Sequence, residues 1–296
     1  MMPIPRSIPR SWLFIPADSA RKLAKARETG AHAVILDLED AVAADRKEVG
    51  RDTAASWLTG EAGHDAAQAT WVRINAIDTG LWREDLRAVA PGRPDGIMLP
   101  KAAGPEDVAL IGAELDAIEA THGLAPGAIR ILPLVSETAR AALTIPRYLD
   151  QASPRLAGLT WGAEDLGAEL GVTRKRLADG RWTDAFRLVR AQTLLAAHAL
   201  GVWAIDTLHA DFRDEAGLET VAAAAAADGF SGMLAIHPGQ VPIINRAFAP
   251  DDAALADARA IIAAFAANPG AGALQIDGRM IDQPHLRAAR AMLGIA

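Results

Sequence analysis

Short apolar runs, each closing on polar or charged residues, recur along the chain at 11–17 (SWLFIPA), 33–40 (AVILDLED), 70–76 (TWVRINA) and 96–101 (GIMLPK). Four more follow at 130–137 (RILPLVSE), 156–165 (LAGLTWGAED), 202–207 (VWAIDT) and 232–238 (GMLAIHP). They are near-continuously apolar rather than alternating, the pattern of strands covered on both faces, as in a parallel sheet. Between them lie stretches with helical spacing. Residues 105–121 open on Pro and acids, as a helix N-terminus does. Residues 184–200 and 217–228 end at Gly201 and Gly229, and residues 19–29 carry Leu23 among alanines. Eight βα repeats predict an α/β fold, a closed (β/α)8 TIM barrel over 1–249. A doubly wound open sheet would use fewer strands and a Gly-rich first turn, which the chain lacks. From Pro250 the pattern changes: a helix over 251–267, a Gly/Ala/Pro-rich linker at 268–273 and a short last segment at 274–293. Residues 250–296 therefore read as a C-terminal helical extension or lid outside the barrel.

Composition narrows the partners. With 51% hydrophobic residues among 296, and few Tyr or Phe, a large aliphatic core is readily buried. The net charge of −7 argues against a nucleic-acid partner, although a local basic site can still take an anionic substrate. The absence of cysteine removes disulfides, zinc–thiolate sites and thiol nucleophiles. No apolar run approaches the ~18 residues that span a membrane. The N-terminal MMPIPRSIPR lacks the apolar core of a secretory signal, so the expected location is the cytoplasm.

In a barrel of this kind, chemistry sits at the C-terminal ends of the strands and in the loops that follow. That rule selects Asp37, Glu39, Asp40, Arg73, Lys101, Glu137, Asp165, Asp206 and His237. So many carboxylates in one mouth need a compensating cation, and oxygen donors without cysteine point to Mg²⁺, with Mn²⁺ as the alternative. Glu137 and Asp165 end the fifth and sixth runs, so they fall across one inter-strand gap and suit a shared metal. Bland readings stand beside these: Asp37 and Asp40 as salt-bridged scaffolding, Lys101 as structural and His237 as a satisfied core histidine. Arg73 lies inside an apolar strand and needs partners. It is either paired with Asp37 or Glu39 as scaffold, or used on substrate. Arg174-Lys175-Arg176 reads as a solvated loop. The phosphate-loop, dinucleotide, metalloprotease and nucleophile-elbow motifs are all missing.

At these residues the sequence resembles the citrate lyase beta-subunit family of the HpcH/HpaI aldolase superfamily, which includes malyl-CoA and citramalyl-CoA lyases. The matching segments run nearly the whole chain in order: RSWLFIPA (10–17), LDLEDAVAADRKEVGR (36–51), VRIN (72–75), MLPK (98–101), VSETARAAL (135–143), GAEDLGAELGVTR (162–174), AIHPGQVPIINRAFAP (235–250) and DGRMIDQP (277–284). The resemblance implies a TIM barrel with a C-terminal extension, assembled as trimers or hexamers. It implies Mg²⁺ on Glu137 and Asp165, a substrate-orienting Arg73, and coenzyme A contacts at Phe14 and Lys25. It also implies a catalytic Asp282 on the lid, reaching a neighbouring subunit's site. Glu39 and Asp40 would hold metal-bound water and Arg73. The implied reaction is carbon–carbon cleavage or formation of a short β-hydroxyacyl-CoA. A citryl-carrier-protein lyase subunit and a CoA-independent pyruvate aldolase are the alternatives. The sequence departs from the family at Ala17, where glycine is usual, and at Met233, where lysine is common. Ser19 stands where malyl-CoA lyases often carry arginine, with Arg21 and Lys22 close by.

Overall fold

The computed structural model describes residues 8–60, 63 and 67–295. Residues 1–7, most of the stretch read against a secretory signal, lie outside the described residues. The chain forms two compact units divided between Phe248 and Ala249.

The first unit alternates strands and helices in chain order: β1 (Ser11–Pro16), α1 (Ala20–Leu23), β2 (Ala33–Asp37), α2 (Lys47–Thr59), β3 (Ala69–Arg73), α3 (Trp82–Val89), β4 (Gly96–Leu99), α4 (Pro105–His122), β5 (Arg130–Pro133), α5 (Ala139–Thr144), β6 (Gly158–Thr160), α6 (Ala163–Glu169), α7 (Asp184–Leu200), β7 (Trp203–Asp206), α8 (Glu215–Asp228), β8 (Gly232–Ala235) and α9 (Gln240–Ala247). The eight strands pair in parallel in the order β5-β4-β3-β2-β1-β8-β7-β6. The remaining seam, β5 against β6, is bridged at Ile131–Leu156 and Leu134–Thr160, so the sheet closes on itself. Every one of the eight apolar runs is a strand of this barrel, as its two-sided burial predicted.

Side chains alternate along each strand, and the period of two separates two cores. One parity packs outward under the helices, as Val34, Leu36, Val72 and Ile97 do. The other fills the barrel: Trp12, Ile35, Trp71, Met98, Leu132, Ile205 and Leu234. Trp12, Trp71 and Trp203 pack at steep angles to one another with 5.2–6.4 Å between ring centroids, Trp12 and Trp203 near the starts of their strands and Trp71 at the middle of its own. Gly96 leaves room for this group, since a Cβ there would stand 2.2 Å from the Trp71 ring. Truncating one of these indoles to alanine costs about 3–5 kcal/mol. Below the β5–β6 seam, buried Arg155 grips Glu119 (Nη1–Oε1 2.9 Å) and donates to the Ile129 carbonyl at 2.8 Å. The N–H groups of Gly127 and Ile129 donate to the same carboxylate at 2.8 and 2.9 Å. These bonds fix the loop that feeds β5.

The stretch 19–29 is not one helix. It forms the four-residue α1 and then a 3₁₀ turn over Ala26–Thr29. The Trp57 indole donates to the Leu23 carbonyl at 3.1 Å, occupying the acceptor that an α-helix would offer Arg27. Arg27 itself is held by Gln68 and Thr70.

The second unit contains α10 (Asp252–Ala267), β9 (Ala273–Ile276), β10 (Arg279–Asp282) and α11 (Gln283–Met292). The last segment is therefore not purely helical. β9 and β10 form an antiparallel hairpin in which Arg279 pairs with Ile276 across the two-residue loop Asp277-Gly278. Both loop residues take positive φ (50° and 79°), which a short hairpin turn needs and Asp-Gly supplies most readily. Ile261, Phe265, Ile281 and Leu286 form this unit's own apolar core.

Candidate active site

Asp37 and Arg73 are the last residues of adjacent strands and stand in register. Their parity, shared with Ile35 and Trp71, turns both into the barrel. Arg73 donates from Nε to Asp37 Oδ1 at 2.8 Å and from Nη2 to Oδ2 at 2.6 Å, a two-pronged charge-assisted pair. Its Nη1 lies 2.8 Å from Glu39 Oε2 and 3.9 Å from Asp40. The Glu39 contact is an ion pair lacking hydrogen-bond geometry, so that oxygen has no hydrogen-bond donor. The guanidinium carbon sits 4.7 Å over the Phe14 ring. The scaffold reading of Arg73 thus holds with both carboxylates at once, while 11% of its side chain stays open to the mouth. Burial opposes the Arg73 charge, but Asp37 and Glu39 outweigh it and hold its pKa above the ordinary value. The loop after β2 is pinned in turn. Asp37 accepts the N–H groups of Glu39 (2.9 Å) and Ala41 (3.3 Å), and Lys47 Nζ donates to the carbonyls of Leu38 and Glu39 at 2.7 Å.

Across the mouth, Glu137 lies on the loop between β5 and α5, beyond the strand itself. The loop is tied to both neighbours: Leu134 N–H donates to Leu99 O at 2.8 Å and Val135 N–H to Thr160 O at 2.9 Å. Glu137 is 3% exposed and accepts the Lys101 N–H at 2.5 Å. Gly162 packs against it so closely that a Cβ there would be 2.7 Å from Glu137 Cγ. Burial first, and then the charges of Glu39 and Asp165, push the Glu137 carboxyl up to about 8. Glu39 is also held above the ordinary carboxylate range, chiefly by burial. Lys101 Nζ lies 2.5 Å from Glu39 Oε1 and 3.6 Å from Asp165 Oδ1. The sequence placed Asp165 at the end of the sixth strand; instead it occupies the first turn of α6, because the chain leaves β6 at Thr160 and is helical from Ala163.

These groups share a cavity of about 380 Å³ lined by Phe14, Lys22, Asp37, Asp40, Arg73, Glu137 and Asp165. Among the described residues no three His, Asp or Glu side chains close into a metal cage. Two carboxylates facing one cavity are nevertheless the donor set that Mg²⁺ takes together with water and substrate oxygens. The crowding that lifts the Glu137 pKa is what a divalent cation would relieve.

The profile of the HpcH/HpaI aldolase/citrate lyase family matches residues 10–238, the barrel with its mouth loops. The chain belongs to this family. A citrate lyase subunit beta-like protein of Mycobacterium tuberculosis is 39% identical over 95% of this chain and 93% of its own length. A (3S)-malyl-CoA thioesterase of Cereibacter sphaeroides is 37% identical over 97% and 94% of the two chains. An L-malyl-CoA/beta-methylmalyl-CoA lyase of Rhodobacter capsulatus is 32% identical over 98% and 95%. The crystal structure of CitE from M. tuberculosis in complex with magnesium, acetoacetate and coenzyme A superposes with a TM-score of 0.75, at 36% identity and 97% coverage of each chain.

Family membership accords with the expected TIM barrel and with an enzyme of the aldolase and lyase class. The structure gathers Phe14, Glu39, Asp40, Arg73, Glu137 and Asp165 at one mouth and adds Lys101, which the sequence offered only as a strand-end cation. Lys25 is exposed and does not line the cavity; Lys22, one turn earlier, does. Asp206 is not a mouth acid. Ile205 faces inward, so Asp206 points outward, accepting from Arg190 (2.8 and 3.0 Å) and from the Trp161 indole (2.6 Å). The same parity turns His237 away. It is no core histidine but an exposed ring stacked on Phe212 at 4.8 Å. Ala17 is buried, with its N–H on the Asp37 carbonyl at 3.0 Å. Met233 lines a second cavity of about 500 Å³ outside the strands, with Arg176, Trp182 and Arg190. Asp282, in the second unit, caps α11, and its carboxylate lies 2.6 Å from His285 Nδ1.

Proposed function

We propose that this protein is a magnesium-dependent carbon–carbon lyase that cleaves or forms a short β-hydroxyacyl thioester of coenzyme A, with a 2-oxoacid as the second product. One observation carries this reading: Glu137 and Asp165 face the same cavity as a clamped, partly open Arg73. The magnesium and coenzyme A bound to CitE, and the malyl-CoA named for two relatives, support the cofactor and the substrate class. When bound on Glu137 and Asp165, with Mn²⁺ as a substitute, the cation would polarise the oxygens of a 2-oxo- or 2-hydroxycarboxylate.

The chain's own groups do the rest. Arg73 has its direction fixed by Asp37 and Glu39, so its open edge is pre-aimed at oxygen atoms that gain charge as the carbon–carbon bond breaks. A preorganised donor of this kind contributes about 3–4 kcal/mol. Phe14 supports the guanidinium from one side and offers an apolar wall to the thioester. Lys22 and the more distant Lys25 supply positive charge on the β1 side for the phosphates of coenzyme A. Glu39 and Asp40 keep Arg73 and nearby water in place. Asp282, on the second unit, is the proposed acid–base group: as the substrate hydroxyl releases its proton to water and the carbon–carbon bond pair passes to the thioester's α-carbon, Asp282 delivers a proton to that carbon, in homotrimers or homohexamers where that unit serves a neighbouring subunit. The protein is proposed to be cytoplasmic; among the described residues no helix is long and apolar enough to cross a membrane.

The thioesterase among the relatives favours a second reading, in which free thiol is released from malyl-CoA. One assay separates the two. Purified protein with Mg²⁺ is offered malyl-, methylmalyl- and citramalyl-CoA, while 2-oxoacid and free thiol are followed independently, with EDTA as control. Metal-dependent release of 2-oxoacid without thiol is the expected result. Thiol release without 2-oxoacid would assign a thioesterase, and 2-oxoacid release undiminished by EDTA would refute the metal-dependent reading.

A further inference from the structure

We propose that the Lys101 ammonium is a tethered counter-cation for the mouth carboxylates, balancing them before a divalent cation binds and yielding its place to that cation. The inference rests on the reading that Glu137 and Asp165 hold such a cation.

Lys101 follows Leu99-Pro100 at the end of β4 and takes φ +50°, a left-handed conformation that non-glycine residues rarely adopt. Such a conformation is strained and persists where surrounding contacts impose it. Two sets of contacts do so here. The backbone N–H is turned onto Glu137 Oε2 at 2.5 Å. The side chain runs to carboxylates from the loop after β2 and the first turn of α6, with Nζ 2.5 Å from Glu39, 3.6 Å from Asp165 and 3.7 Å from Asp40. One residue thus touches both proposed metal ligands, one through its main chain and the other through its charge.

The two cations paired with these carboxylates, Arg73 and Lys101, are not equivalent. Arg73 is locked in a fork on Asp37, and among the described residues the only ion pair of Asp165 is with Lys101. The Lys101 side chain is 29% exposed and ends a flexible four-carbon stem with a single point charge. It can withdraw toward solvent when a doubly charged ion enters, whereas the buried guanidinium cannot. Its position is that of a gatekeeping charge, and its role is a positioning one.

Removing the charge while keeping the backbone is the test. Lys101→Met retains the Cβ and the N–H to Glu137 and deletes only the ammonium; Lys101→Arg retains the charge. Mg²⁺ binding to the EDTA-stripped full chain is measured by titration calorimetry, and thermal melting is followed with and without Mg²⁺. Lys101→Met is expected to bind Mg²⁺ about tenfold tighter or more than the wild type. It should melt lower than the wild type without metal, with the gap closing at saturating Mg²⁺, while Lys101→Arg stays near the wild type. An affinity equal to or weaker than wild type in Lys101→Met overturns the proposal. Should that variant not fold without metal, Lys101→Gln gives the same comparison. A wild type that binds no Mg²⁺ removes the metal reading and this inference with it. A wild type that binds, beside a Lys101→Met that binds no tighter, removes this inference alone.

Discussion

Replacing Glu137 by glutamine should have opposite effects on stability with and without metal. In the metal-free protein burial and the nearby Glu39 and Asp165 charges raise the carboxyl from 4.5 to about 8. Between those two values the folded chain keeps a proton that the unfolded chain has already released. Stability from this group is therefore full below about 4.5 and is lost as pH rises through about 8. Each unit corresponds to about 1.4 kcal/mol, so by pH 7.5 the loss reaches up to about 4 kcal/mol. Glu137→Gln carries no such proton and can still accept the Lys101 N–H. Without metal, the variant should match the wild type near pH 5 and melt roughly 5–10 °C higher near pH 8. With saturating Mg²⁺ the order should reverse, since only the wild type offers two carboxylates. Differential scanning calorimetry at both pH values, in EDTA and in Mg²⁺, reads all four states. A wild-type minus variant difference that does not change between pH 5 and pH 8 in EDTA would refute the electrostatic argument. Equal stabilisation of both proteins by Mg²⁺ would refute the ligand assignment.

Arg73→Lys keeps a positive charge but loses the fork on Asp37, so kcat should fall on the order of 10²–10³-fold with KM little changed in steady-state kinetics. Gly162→Ala puts a methyl group 2.7 Å from Glu137 Cγ; calorimetric titration should show Mg²⁺ affinity about tenfold weaker, with the circular dichroism spectrum unchanged. Asp282→Asn should abolish turnover and leave the Mg²⁺ dissociation constant as it is, which titration and assay together check. Burial raises the Glu119 carboxyl, but the Arg155 guanidinium and two backbone N–H groups outweigh this and hold it below the ordinary range. Its stabilisation is present above about pH 4.5 and fades as pH falls through the lowered value. Glu119→Gln should thus cost about 3 kcal/mol at pH 7 and progressively less in acid, as urea melts across pH would show.

The barrel was legible because strands buried on both faces need unbroken apolar runs, and the runs at 11–17, 33–40 and 70–76 met that need. Finer structure was set by distant contacts. Trp57, Gln68 and Thr70 break the 19–29 helix and bring Lys22 rather than Lys25 to the cavity, and no local signal announces that. The left-handed turn at Lys101 depends on carboxylates from the loops after β2 and β5 and from the first turn of α6. Two further features are legible in the sequence. Counting by twos from Trp203 and Ile205 puts Thr207 in the mouth and Asp206 outside it. The alternating ALQI-DG-RMID also carries a hairpin signature in plain view.

The three indoles packed across the barrel interior make the mouth a cul-de-sac. Whatever enters must leave by the door it came through, and in reverse order of depth. Leu134 and Leu234 belong both to that interior packing and to the cavity wall, so the cavity begins where the packing stops. If the proposed cleavage occurs beside Glu137, the small carboxylate fragment would lie deeper than the bulky thioester. On that reading the larger product would depart first, and an accumulating thioester would trap its companion inside.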